Sequence, residues 1–278
     1  MLKFETAALT DAGRERDENE DTVFYKVVDE PSDNPMGLFI VADGIGGRMA
    51  GQLASFWAVE AVKDSLSDLI AYQDPRSTHS FSREDILRMQ KAAVSGVDPS
   101  NLKQRVATAV DKANSVVRGY SRHSPKDARN AGTTLCLALA RGRQAIVANV
   151  GDSRAFVLRN GQLHQITKDH SVVQQMIDAG EVQASALYTH PKRHVIYRSL
   201  GARDTVEPDI FTLTLTPGDS LLLCTDGLWE MVQDASTLVG IINAAASVEI
   251  ACQQLVDAAN AAGGHDNIGV VLARMVEV

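Results

Sequence analysis

Three cysteines, Cys136, Cys224 and Cys252, are all that a chain of 278 residues contains, and their odd number and wide spacing exclude a disulfide framework and a paired Cys-x-x-Cys zinc site. Each lies in apolar sequence, which predicts reduced, buried thiols. Basic charge is also short: the net charge is -8, which argues against a nucleic-acid or anionic-membrane surface. No apolar run is long enough to span a bilayer, and Met1 to Thr6 lack an apolar signal core, so the expectation is a cytoplasmic protein. The seven histidines show no His-Glu-x-x-His spacing. Internal repeats and low-complexity tracts are absent too.

What is present is a globular composition, 45% hydrophobic and 22% charged, and one domain over residues 1–278 is the expectation. Residues 2–10 and 22–28 read as strands around an acidic turn, and a third strand ends at Asp43. Leu53 to Leu69 has helical spacing, with Phe56, Val59, Val62 and Leu66 on one face, and a second helix is expected over 101–120. Between them, residues 71–100 are polar and hold Pro75 and Pro99, which reads as a variable insertion with a short helical stretch near 83–93. From Thr133 to Ile166 short β-like runs, broken by Gly151-Asp152 and Asn160-Gly161, predict an antiparallel meander. Ser171 to Gln174 fits a capping box that opens a helix. Residues 181–203 are irregular and basic, a candidate flap carrying Lys192, Arg193, His194 and Arg198. Strands at 209–215 and 219–225, helices near 235–245 and 248–261, and a strand at 267–276 close the chain.

Three carboxylate motifs stand at strand ends. Asp43-Gly44 follows Leu38-Phe39-Ile40-Val41-Ala42, Asp226-Gly227 follows Leu221-Leu222-Leu223-Cys224-Thr225, and Asp266-Asn267 precedes Ile268-Gly269-Val270-Val271-Leu272. If the three meet, the outgoing strand is antiparallel to an incoming one, with the site at a sheet edge. Like charges a few ångströms apart repel by roughly 1 kcal/mol in water and several times more in a partly buried site, so a cation belongs among them. Oxygen ligands without nearby cysteine favour magnesium or manganese. Asp43 is the natural bridge between two ions, because Gly44 leaves its backbone carbonyl open to a second bond, and Gly46 and Gly47 allow a close turn. In Arg16-Asp17-Glu18-Asn19-Glu20-Asp21 the guanidinium suits a phosphate, and Glu20 and Asp21 suit metal-bound water, although a solvated acidic loop has the same composition. Asp152 reads as a hairpin-turn residue, and His265 as a neighbour of the site, not a ligand.

In this order, Arg16-x-x-Asn19-Glu20-Asp21, Val41 to Gly47, Gly132-Thr133-Thr134, Asn149 to Arg154, Asp169-His170-Ser171, Cys224 to Trp229 and Gly264-His265-Asp266-Asn267 run nearly end to end. Together they resemble the metal-dependent protein phosphatase family, type 2C, in its bacterial serine/threonine form. The resemblance implies an α+β fold, a four-layer α-β-β-α sandwich of two antiparallel sheets with helices on both outer faces. It implies two manganese or magnesium ions: Asp43 bridging, Gly44 lending its carbonyl, Asp226 and Asp266 on one ion, Glu20 and Asp21 holding metal waters, and Arg16 clamping the phosphate. Some bacterial relatives bind a third, weaker ion through an aspartate placed as Asp127 is here. Two positions depart from the pattern: Ile45 and Arg48 stand where relatives carry a histidine, which leaves the general acid open.

The expected activity is hydrolysis of phosphoserine and phosphothreonine in proteins by a hydroxide bridging the two ions, with a serine/threonine kinase as opposing partner and a monomer as the default state. No cysteine nucleophile competes, because Arg141 follows Cys136 one position too early for a Cys-x5-Arg loop and Glu230 takes the arginine's place after Cys224. Lys192, Arg193, His194 and Arg198 are expected to attract acidic phosphoproteins. A metal-holding pseudophosphatase and a two-metal phosphodiesterase are the rival readings.

Overall fold

The computed structural model describes residues 1–28, 34–47, 49–70, 101–123 and 131–278. The expected insertion at 71–100, Arg48 and Asp127 lie outside the described residues. Those described form β1 (Leu2–Asp11), β2 (Asp21–Val28), β3 (Met36–Ile45), α1 (Met49–Ser65), α2 (Leu102–His123), β4 (Gly132–Thr133), β5 (Leu135–Arg141), β6 (Gln144–Val150), β7 (Arg154–Arg159) and β8 (Gln162–Gln165). They continue as α3 (Val172–Asp178), α4 (Ala186–Thr189), β9 (Asp209–Thr214), β10 (Ser220–Cys224), α5 (Asp226–Trp229), α6 (Ala235–Ala244), α7 (Val248–Ala261) and β11 (Ile268–Glu277).

Two antiparallel sheets result. One runs β1-β11-β10-β7-β8, the other β2-β3-β5-β6-β9 with β4 paired to β3. Alternation within the central strands explains their continuous apolar runs. In β3, Leu38, Ile40 and Ala42 pack toward α1 and α2, while Phe39 and Val41 enter the layer between the sheets. In β10, Leu222 and Cys224 face the α5 to α7 side and Leu221 and Leu223 face inward. A strand covered on both faces has no position for a polar side chain. Each large side chain fully buried this way contributes about 1.5–3 kcal/mol. The layers are helix, sheet, sheet, helix, as expected.

Three expectations need correction. Phe56 does not belong to the buried face of α1: it is 42% exposed and stacks edge-on against Trp57. The buried face is instead Ala50, Gly51, Ala54, Ser55, Ala58, Val59, Ala61 and Val62, small residues that let the helix lie close on β3. The meander is also divided. β5-β6 is a hairpin of one sheet and β7-β8 a hairpin of the other, so Gly151-Asp152-Ser153 is a crossing between sheets, not a hairpin turn. Gly151 makes the bend at φ +113, with Thr134 packed against it. The Ser171 cap holds, its hydroxyl accepting from Gln174 N at 3.2 Å, but the Gln174 side chain turns to Asp178 instead of completing the box.

Candidate metal centre

Register alone brings the carboxylates together. Asp21 opens β2 directly opposite Asp43 near the end of β3, and Glu20 precedes it. In the other sheet β10 ends opposite the start of β11, Cys224 facing Val270, so Asp226 and Asp266 emerge from the same edge. The two sheet edges face one cavity of about 400 Å³, lined by Arg16, Glu20, Asp43, Gly44, His194, Asp226, Asp266 and Asn267. Close approach is built in at Gly44, where an added Cβ would stand 2.3 Å from the Gly51 carbonyl oxygen and 2.7 Å from that of Glu20. At Gly51 a Cβ would strike the Glu20 carboxylate, at 1.9 Å from Oε2. Gly46 and Gly47 turn the chain beyond them at φ +133 and +71.

Neutral donors hold the acids in place. Thr225 Oγ1 donates to Asp21 Oδ2 at 2.7 Å while accepting from Gly269 N at 2.7 Å, which ties one sheet's carboxylate to the other sheet's strands. The Gly132-Thr133-Thr134 motif fixes the backbone of Asp43: Thr134 Oγ1 accepts from Asp43 N at 2.9 Å, and Thr134 N and Thr133 Oγ1 donate to Asp43 O at 2.9 and 2.8 Å. Asn267 clips the acidic loop to β11, accepting from Glu20 N at 2.8 Å and donating to the carbonyls of Ala12 and Glu18 at 3.0 and 2.9 Å. Arg16 reaches Asp266 Oδ2 at 2.8 Å from a half-exposed position.

This packing leaves negative charge uncompensated. Burial, and then the charges of Asp226, Asp21, Asp152 and Asp266, drive the Asp43 carboxyl well above the usual carboxylate range. Burial does the same to Asp226, helped first by Asp152. Asp21 is pushed up to about 7 by burial, against the pull of the Thr225 hydrogen bond. Oδ1 of Asp21 and Oδ1 of Asp226 are buried without a hydrogen-bond partner. Unsatisfied buried oxygens carry a cost that metal coordination removes, and hard oxygen donors of this kind fit manganese or magnesium. Asp21, Asp43, Asp226 and Asp266, with Glu20 and the Gly44 backbone beside them, are the residues able to hold such ions.

The crossing residue Asp152 belongs to this neighbourhood, which its reading as a turn residue missed. It is 6% exposed, burial followed by the charge of Asp169 pushes it up to about 7, and its carbonyl accepts from Trp229 Nε1 at 3.1 Å. The remaining support is a buried pair: Arg154 binds both oxygens of Asp169 and stacks on Trp229, its guanidinium carbon 3.4 Å from the ring centroid. Arg154 and Asp152 stand two apart in the sequence, and at the change of sheet both are buried.

Residues 181–203 contribute unevenly. Lys192 is exposed, Arg193 Nε lies 3.8 Å from Glu230 Oε2, and His194 lines the cavity. Arg198 is anchored within the fold: its Nη1 donates to Asp209 Oδ1 at 2.8 Å and to the Glu207 carbonyl at 2.9 Å, against the His170 ring. His265 pairs with Glu15 at 2.6 Å on the surface and does not line the cavity. All three cysteines are free and buried, as expected.

Comparison with known proteins agrees with this architecture. A family model described as protein phosphatase 2C matches residues 14–260. A serine/threonine phosphatase, stp, of Listeria welshimeri serovar 6b is 32% identical over 265 residues, 95% of this chain and 92% of that protein. Protein phosphatase PhpP of Streptococcus pneumoniae serotype 2 is 32% identical over 277 residues, 98% of each. Among solved structures, the catalytic domain of the serine threonine protein phosphatase PstP, in complex with two manganese ions, superposes with a TM-score of 0.77 at 30% identity, covering 100% of both chains.

Proposed function

The chain belongs to the protein phosphatase 2C family, and from that premise we propose that it hydrolyses phosphoserine and phosphothreonine in proteins, using two manganese or magnesium ions held at the shared sheet edge. The observation that carries this reading is the convergence of Glu20, Asp43, Asp226 and Asp266 on one cavity, with Asp21 buried beside Asp43 and with unpartnered buried oxygens on Asp21 and Asp226. Asp43, the Gly44 carbonyl, Asp226 and Asp266 would hold the ions, with Glu20 and Asp21 placed to orient their water. Bound divalent ions neutralise phosphoryl charge and make water acidic enough to attack at neutral pH.

Arg16 positions the phosphate. Its Asp266 contact uses one nitrogen, so other donors of the planar fork remain for phosphoryl oxygens. Lys192, exposed and two residues before His194, and Arg193 draw in the acidic surroundings of a phosphorylated side chain. The opposing partner is a serine/threonine kinase, because only phosphoryl transfer to a hydroxyl makes this substrate. A cytoplasmic monomer is the accompanying reading, supported by three unpaired thiols, which suit a reducing compartment. No helix among the described residues is long and apolar enough to cross a membrane.

Turnover of a phosphothreonine peptide with and without manganese tests the reading. Activity is expected only with the metal, and Asp43→Asn should lose at least about 10²–10³-fold, the size of losing one electrostatic stabiliser. Native-rate turnover by Asp43→Asn, or faster cleavage of a phosphodiester than of a monoester, overturns it.

A further inference from the structure

Hydrolysis of a phosphoserine or phosphothreonine leaves a strongly basic alkoxide oxygen, which needs a proton as its bond to phosphorus breaks. Most groups lining the cavity cannot supply one. Asp43, Asp226, Asp266 and Glu20 are committed to ions and their waters, the guanidinium of Arg16 does not release a proton near neutrality, and Gly44 and Asn267 have none to give. His194 is the lining residue that remains, and imidazole is the side chain best matched to this task at neutral pH.

Its position is fixed from two sides. Nδ1 lies 3.6 Å from Glu230 Oε1, and Glu230 is the C-cap of α5, the single turn that opens with Asp226. Ligand-capable atoms of His194, Asp226 and Glu230 lie within 4.8 Å of one another, which places the ring beside the Asp226 carboxylate. The residues that follow His194 are anchored to the body of the protein: Val195 O accepts from Val172 N at 2.8 Å, Ile196 bridges to Ser171, and Tyr197 N donates to His170 O at 2.9 Å. The His194 side chain is 52% exposed, so it stands at the mouth where a substrate side chain must pass.

We propose that His194 is the proton donor to the leaving serine or threonine oxygen, with Glu230 orienting its ring. The proposal rests on the phosphatase reading above. In the step, a water oxygen forms the new bond to phosphorus as the bond to the alcohol oxygen breaks. The electron pair left on that oxygen takes the imidazolium proton and becomes the hydroxyl of the product. The imidazole then recovers a proton of the kind the attacking water has released, so the net change is phosphomonoester plus water to alcohol plus phosphate. An aryl phosphate escapes the requirement, because phenolate leaves without protonation.

The experiment compares wild type and His194→Gln, both loaded with manganese, on a phosphothreonine peptide and on p-nitrophenyl phosphate. The ratio of peptide to aryl kcat is expected to fall about 10²-fold, the lower end for loss of a general acid, with peptide KM little changed. Across a series of aryl and alkyl phosphates, the variant's rate should depend more steeply on leaving-group pKa. Added imidazole should restore peptide turnover in His194→Ala. Calorimetric titration with manganese should give the same ion count and affinity in wild type and His194→Gln. Equal losses on both substrates, an unchanged ratio, or weakened manganese binding overturns the proposal, the last because it makes His194 a ligand in company with Asp226 and Glu230. Wild type inactive toward the peptide would sink the phosphatase reading itself, a result distinct from these.

Discussion

The carboxylate centre and the 181–203 segment beside it are held by different physics. At the centre, strand register and short bonds from Thr225, Thr133, Thr134 and Asn267 leave each acid one position, and the nearby Arg154–Asp169 pair closes to 2.6 Å with both side chains almost fully buried. Along the segment Arg198 is anchored to Asp209 at 2.8 Å, but the basic side chains around His194 are looser, Arg193 lying 3.8 Å from Glu230 and Lys192 standing exposed. Ion coordination tolerates errors of only a few tenths of an ångström, so its ligands are placed by backbone. Recognition of varied protein substrates tolerates more, and exposed charges on long side chains serve it. His194 lies where the two regimes meet.

The largest test of this contrast is Arg154→Ala, which strands the buried Asp169 charge and uncovers Trp229. It should cost about 3–5 kcal/mol, read as a lower urea midpoint, whereas Arg193→Ala should change stability by less than about 0.5 kcal/mol. Equal effects would erase the distinction between the two regions.

Second in size is the pH dependence of the metal-free protein. Asp21 and Asp152 have folded-state values raised to about 7, and Asp43 and Asp226 are raised as well, so the folded state binds protons more tightly than the unfolded chain. Their contribution is therefore fully present below the unfolded carboxylate range and is lost as pH rises toward and through about 7. Metal-free protein should melt several degrees higher near pH 5 than near pH 8, and saturating manganese should abolish or reverse that trend. A metal-free melting temperature that climbs with pH across this range contradicts the crowded-carboxylate picture.

The smallest effect is expected at the exposed end of the comparison. Neutralising Lys192 and Arg193 together should raise KM for an acidic phosphoprotein a few-fold, more at low salt than at high, and leave the aryl phosphate almost untouched. Matching changes on both substrates would assign these residues to the centre and not to recognition.

Much of this was legible in the chain. Apolar runs ending at Asp43 and Asp226 and beginning at Asp266 disclose strands, and the requirement that they meet discloses the antiparallel pairing, because a strand's direction is written in the order of its residues. Other features were hidden for a common reason. Phe56 satisfies a helical period yet faces outward, since the face of α1 was chosen by the small residues that fit against β3. Asp152 looks like any turn aspartate until the chain changes sheet there. Arg198 looks like a substrate-facing cation until folding supplies Asp209 as its partner.

By itself, then, the sequence determined the order of most strands and helices though not all their bounds, which acids stand at strand ends and what ion chemistry they favour, because those follow from side-chain type, local period and the repulsion of like charges. Only the tertiary structure decided that Thr225 spans the two sheets to Asp21, that Asp152 joins the acids and that His194 lines their cavity. Each of these depends on contacts between segments far apart in the chain, whose distances are set by packing and register and by nothing in the local residue pattern.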